Sequence, residues 1–310
     1  MFSGNEARLI NQDELVAKLD TFFEIASFDE SRSRKYLPAG YESILARFAT
    51  PNFLSGSWNG LMLANAEEID RVYPIVFPGQ SVLDEIIARE VERGAPGAMI
   101  FSHHLHDYQE SGPGFSYMAD AQLEELKAHS ISFYNCHAPL DCNREISTSL
   151  ALADALKLRD QERFAPYIGG LAGVYGKSGA IAFDDFVRKV SEATALPHIR
   201  YDQVRNNGRP VQQVAIVTGA GAEGNFVHEA IGLGCDTFVT GEWWFWGPGD
   251  WRAAHREDAR ILLTEANINL IGTSHYASEA VVMRDVIPDW LYTFAPGAEP
   301  IFIGQDDPWR

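Results

Sequence analysis

Cysteine is scarce in this chain of 310 residues: only Cys136, Cys142 and Cys235 occur. So sparse and odd a set implies no disulfide framework. Long apolar runs are missing too, and no stretch approaches the roughly 20 residues that a membrane helix needs. The opening residues, Met1-Phe2-Ser3-Gly4-Asn5-Glu6, lack the basic and apolar regions of a secretory leader. Basic residues are in the minority, 25 Lys and Arg against 43 Asp and Glu, for a net charge of −18. Such a balance weighs against bare nucleic acid or an anionic membrane as partner, because phosphate contacts need a basic face. The expectation is a soluble, cytoplasmic protein with neither partner. Its length predicts one large or two medium domains with ample core.

What is present is a repeated local pattern. Asn135-Cys136-His137-Ala138-Pro139-Leu140-Asp141 closes on a histidine and a carboxylate four residues apart, and Ser274-His275-Tyr276-Ala277-Ser278-Glu279 does the same. The offset is 275 − 137 = 138 and 279 − 141 = 138. The run from Gly94 to His104 lines up with Gly232 to Glu242 at the same offset, 242 − 104 = 138. Both runs read as a glycine-rich helix exit followed by a buried strand. Each follows a helical pattern, 81–93 and 225–231, and each helix follows another strand, 71–77 and 212–218.

These units predict an α/β fold with mixed, mostly parallel sheets, built as two halves by internal duplication. Glycines and Pro166 in 159–180 mark the expected lobe boundary. The lobes are expected over 1–160 plus 280–310 and over 165–279. Helices are expected over 8–30, 40–49, 120–129, 147–158, 184–195, 251–265 and 280–287, and strands over 131–136, 199–201 and 269–272. In open α/β sheets ligands collect beyond the carboxyl ends of strands. His103, His104, His137 and His275 all follow a predicted strand directly.

Imidazole and carboxylate are standard ligands of zinc, manganese and iron. One His-x-x-x-acid stretch is weak, and chance histidines at strand ends usually satisfy a backbone carbonyl. Joint occurrence is what points to metal. His103, His104, His137, Asp141, His275 and Glu279 are six candidates related by one offset, more than a single tetrahedral ion takes. Two divalent ions with a bridging carboxylate and a bridging water fit the count better. Glu242 stands where the first copy has His104. It reads equally as a general base and as an exposed carboxylate. His106 and Asp107 read as a polar loop capping the site, and Cys136 as core, since strand alternation turns it away from His137.

Gly219-Ala220-Gly221-Ala222-Glu223-Gly224 has dinucleotide-loop spacing between a strand and a helix. The plainer reading, a tight turn whose N–H groups can hold an anion, is preferred, and no nicotinamide cofactor is expected. The cluster Trp243-Trp244-Phe245-Trp246, with Trp251 near, reads as interface or core rather than a wall for a planar substrate, by a small margin.

Taken together, Ser102-His103-His104, His137 to Asp141, Thr240-Gly241-Glu242 and Ser274 to Glu279 resemble the NIF-three-like family (NGG-interacting factor three), often named GTP cyclohydrolase I type 2. Asn59-Gly60-Leu61 resembles its D-N-x-G-L signature, and the glycine stretches 170–176 and 219–221 resemble two more. Trp58 departs from that signature, standing in place of its aspartate. The resemblance covers most of 40–290. It implies two intertwined α/β lobes with a dinuclear metal centre in the cleft between them, with ligands on His103, His104, Asp141, His275 and Glu279 and with His137 at the site. It also implies a homo-oligomer, often a hexamer. The expected function is hydrolysis of a small planar heterocycle, nucleotide or phosphate ester, with His137 and Glu242 as catalytic candidates. A non-catalytic metal-binding or metal-delivery oligomer is the alternative.

Overall fold

A computed structural model describes residues 9–94, 97–110, 112–202, 205, 208–222, 224–244, 250–306 and 309. The chain is α/β and divides into two units. The first is assembled from three stretches, residues 1–107, 116–140 and 283–305; the second takes 108–115, 141–282 and 306–310.

In the first unit a five-stranded sheet runs in the order Glu299–Pro300, Arg71–Ile75, Ala98–Ser102, Ile131–Asn135, Gly60–Leu63. All neighbours pair in parallel except Gly60–Leu63, which is antiparallel at one edge. Strands Ala98–Ser102 and Ile131–Asn135 are buried at every position, as central parallel strands covered on both faces must be. The helix Gln80–Arg93 buries Val82, Leu83 and Ile86 on one face and ends at Gly94, whose φ of 62° suits a glycine cap. Its apolar residues meet Ile100, Leu126 and Phe133 in one core.

The second unit has a six-stranded sheet, ordered Arg200–Asp202, Asn269–Gly272, Thr237–Thr240, Val211–Val217, Gly170–Ile181, Arg159–Tyr167. The three strands Val211–Val217, Thr237–Thr240 and Asn269–Gly272 are parallel neighbours. The helices Gly224–Gly232 and Asp250–Glu265 connect them. Phe238, Leu270, Ala215 and Val227 form this unit's core. Strand, helix, strand, helix, strand thus recurs in both units, and the last strands begin 269 − 131 = 138 residues apart.

Several elements differ from the sequence expectation. The helix expected over 8–30 spans only Gln12–Phe22; Glu24 then turns into the left-handed region, φ 50°, and short 3-10 turns follow. Residues 159–181 form an antiparallel hairpin. The helix expected from residue 280 starts at His275, because the Ser274 side chain caps it by accepting from the Ala277 N–H at 3.0 Å. Among the described residues no helix is long and apolar enough to cross a membrane.

Candidate metal centre

In the first unit the parallel ladder continues past Ser102. The His103 N–H donates to the Ile75 carbonyl at 3.0 Å and the His104 N–H to the Val76 carbonyl at 2.9 Å. Both side chains are buried, and the His104 ring stacks on Phe77 with centroids 4.3 Å apart. His103 Nδ1 lies 3.0 Å from the Cys136 carbonyl oxygen. A carbonyl only accepts, so Nδ1 carries the proton and the neutral ring has its lone pair at Nε2. His137 follows the neighbouring strand, and one ligand atom each from His103, His104 and His137 falls within 4.8 Å of the others. Cys136 is wholly buried core, as expected, and its carbonyl also orients His103.

His137 is fixed from behind by a residue that sequence reasoning missed. Glu30 Oε1 lies 2.5 Å from His137 Nδ1, and Glu30 Oε2 accepts from Asn59 Nδ2 at 2.8 Å and from the Ala138 N–H at 3.0 Å. Asn59 Oδ1 in turn accepts the His137 N–H at 3.0 Å. Burial works to raise the Glu30 carboxyl, but His137, Asn59 and the Ala138 amide outweigh it and hold it below its ordinary value. The one signal was the match of Asn59 to a signature; the sequence pattern places Glu30 at the end of a helix over 8–30, whereas the helix stops at Phe22.

In the second unit His275 and Glu279 occupy one face of the helix His275–Val281, four residues apart. His275 Nε2 is 3.2 Å from Glu279 Oε1, and Nδ1 is 3.2 Å from Glu242 Oε1. Burial works to lower the His275 imidazole, yet the Glu279 and Glu242 carboxylates outweigh it and hold it well above its ordinary value. This is a buried position that favours positive charge. Glu242 is 1% exposed, so the reading of a solvated strand-end carboxylate is excluded. Its N–H donates to the Gly219 carbonyl at 3.0 Å. Asp141 accepts from Thr148 Oγ1 at 2.6 Å, at the start of the helix Thr148–Ala155.

Two glycines make room for this arrangement. Gly219 has φ +64°, and its N–H donates to Ser278 Oγ at 2.9 Å. A β-carbon there would stand 2.3 Å from Glu279 Oε1 and 3.0 Å from His275 Nε2. At Gly241 a β-carbon would meet the Gly219 carbonyl oxygen at 2.4 Å and the His275 Cα at 2.8 Å. Gly219 of the run that resembled a dinucleotide loop is therefore accounted for by close approach to an acid and an imidazole donor, whereas at Gly221 a β-carbon would meet the Val217 carbonyl oxygen at 2.4 Å, within the turn itself. That open cradle, with imidazole and carboxylate donors around it, fits a divalent cation.

The surroundings are polar and aromatic. Glu110 accepts the His275 N–H at 2.6 Å and the Trp309 indole N–H at 3.0 Å. Burial, and then the Glu242 charge, raise its carboxyl to about 7. The Tyr108 ring lies 5.0 Å from that of His275, and its hydroxyl accepts from Arg252 Nε at 3.2 Å. Trp244 is buried, and Trp243 packs on the unit's core. The Arg200 guanidinium sits 4.6 Å over Trp244 and 4.9 Å over Trp309. Phe245, Trp246 and the side chain of Trp251 lie outside the described residues. In the first unit His106 is half-buried, 5.7 Å from the His104 ring, and Asp107 is buried.

Comparison with known proteins agrees with this frame. The family model Duf34/NIF3 (NGG1p interacting factor 3) matches residues 41–295. A "GTP cyclohydrolase 1 type 2 homolog" of Pyrococcus horikoshii is 25% identical over 297 residues, covering 95% of this chain and 98% of the relative. A protein of the same name from Pseudomonas aeruginosa is 26% identical over 228 residues, 71% of this chain and 79% of the relative. Among solved structures, protein ybgI, of unknown function, aligns with a TM-score of 0.68 at 21% identity, over 96% of this chain and all (100%) of its own. Reduced HcgD from Methanocaldococcus jannaschii aligns at 0.62 and 16% identity, over 96% of this chain and 99% of its own. These structures share the fold.

Proposed function

This chain belongs to the Duf34/NIF3 (NGG1p interacting factor 3) family, and from that premise we propose that it is a divalent-metal-dependent hydrolase of a small planar heterocycle, nucleotide or phosphate ester. The observation that carries the reading is the pairing of His275 and Glu279 against Gly219, where any side chain would fill the space beside both donor atoms. The cluster of His103, His104 and His137 supports it from the first unit. In this reading two ions, zinc, manganese or iron, are held by His103, His104, Asp141, His275 and Glu279. The word cyclohydrolase in the relatives' names favours a heterocyclic substrate.

When bound, such ions supply Lewis-acid polarisation and lower the pKa of water toward neutrality. The chain's own residues do the rest. Glu242, buried and 3.2 Å from His275 Nδ1, holds or moves a proton at that nitrogen. His137, backed by Glu30, offers an imidazole of fixed orientation. Tyr108, held by Arg252, packs beside His275 and excludes water from that flank. Assembly into a homo-oligomer belongs to the same proposal, on the ground of family membership.

The test is a screen of heterocycles, cyclic nucleotides and phosphodiesters with added manganese or zinc. Metal-dependent hydrolysis that disappears in Asp141→Asn is the expected outcome. A chain that binds metal and turns over nothing across those classes would make the protein a metal carrier instead.

A further inference from the structure

The first unit carries a carboxylate that stands outside the proposed ligand set and behind His137. Glu30 is 7% exposed and enters from the segment beyond Phe22, where the helix expected over 8–30 has already ended. Its N–H donates to the Ser57 carbonyl at 2.9 Å, which brings it beside Trp58 and Asn59. Both Glu30 oxygens are committed. Oε2 takes two N–H groups that have no choice of role, those of Ala138 and Asn59. Oε1 faces His137 Nδ1.

We propose that Glu30 is a positioning residue for His137: it accepts the Nδ1 proton and thereby sets the imidazole lone pair at Nε2, which makes His137 a further donor for a divalent cation, beside His103 and His104, in addition to the five ligands named above. The inference rests on the metal reading above. Imidazole ligands elsewhere are oriented in this way by a carboxylate on the ring's other nitrogen. Asn59 completes the clamp. Its amide nitrogen holds Glu30 and its amide oxygen holds the His137 backbone, so ring and carboxylate share one frame. The same side-chain position on the first strand pair is served by a carbonyl, since Cys136 does for His103 what Glu30 does for His137.

Glu30→Gln separates this role from mere packing. The amide must turn its oxygen to the Ala138 and Asn59 donors, so its NH2 group faces His137 Nδ1. The imidazole proton is then forced to Nε2, where the lone pair was. Long-range proton–nitrogen NMR on the metal-free full chain, at mildly alkaline pH, reads the tautomer directly. The wild-type chain is expected to show Nδ1–H and the Gln variant Nε2–H, with Mn2+ binding weakened about ten- to a hundredfold by calorimetry. Glu30→Asp keeps the carboxylate and controls for folding; it is expected to retain Nδ1–H. An Nε2–H tautomer in the wild type, an unchanged tautomer in Glu30→Gln, or unchanged Mn2+ affinity despite the flip overturns the inference. A wild-type chain that takes up no Mn2+ overturns the metal reading instead, and the tautomer shift alone then decides the role of Glu30.

Discussion

Gly219→Ala is the smallest change that reaches the second unit's donors. The new β-carbon would stand 2.3 Å from Glu279 Oε1 and 3.0 Å from His275 Nε2, where ordinary contact is near 3.4 Å. The carboxylate must retreat by about 1 Å to restore ordinary contact, more than the roughly 0.5 Å that ligand geometry tolerates. The loop cannot simply yield, because its N–H is tied to Ser278 Oγ and its carbonyl accepts from Glu242. Left-handed backbone, φ +64° here, adds about 1–2 kcal/mol for alanine. A cost of that size lowers the melting temperature by about 2–8 °C. If the cradle holds a cation, the metal affinity falls as well, by at least about tenfold, which is 1.4 kcal/mol. Calorimetric Mn2+ titration beside a thermal melt of the metal-free variant separates the two effects. A variant that melts lower yet binds Mn2+ as tightly as the wild type would refute the reasoning.

Glu242→Gln keeps the volume of a buried side chain while removing its charge, so metal content should persist, with kcat lower by about a hundredfold or more, as expected for a lost general base; activity within about twofold of wild type by steady-state assay would rule out the role. Cys235 makes a second case. Burial, and then the Asp236 charge, raise its thiol to about 12. A raised acid pKa means less anion at any given pH, so at about pH 8 only about one thiol in ten thousand is thiolate. Iodoacetamide followed by peptide mapping should label Cys235 only after unfolding, and rapid labelling of the native chain would contradict the burial.

Much of the fold was legible because the duplicated strands carry their own signal. The runs ending at Ser102 and Thr240 are apolar and β-branched after a glycine exit, and both are fully buried. The His-x-x-x-acid spacing showed the donor pair at His275 and Glu279 because four residues return to one helix face. Other features had no local signature. The hairpin of Arg159–Tyr167 and Gly170–Ile181 hid behind glycine, proline and charge, which read as a link, whereas those residues lie in paired strands with exposed positions. Glu30 owes its position to contacts with Asn59, His137 and Ala138, between 29 and 108 residues away, and no window on the sequence holds those together. The Gly219-x-Gly221 loop showed its spacing but not its neighbour, since the clash that demands glycine comes from residue 279. Glu242 read equally as a general base and as an exposed strand-end carboxylate, and it is the fold around Gly219 and His275 that buries it.

The most direct test is the metal content of the full-length protein purified from metal-replete medium, measured by plasma mass spectrometry against protein concentration. The account predicts about two divalent ions per chain, as a dinuclear site requires, with the loss of at least one in His103→Ala and in Glu279→Gln. A wild-type chain that carries no transition metal, and takes up neither zinc nor manganese on titration, would contradict it.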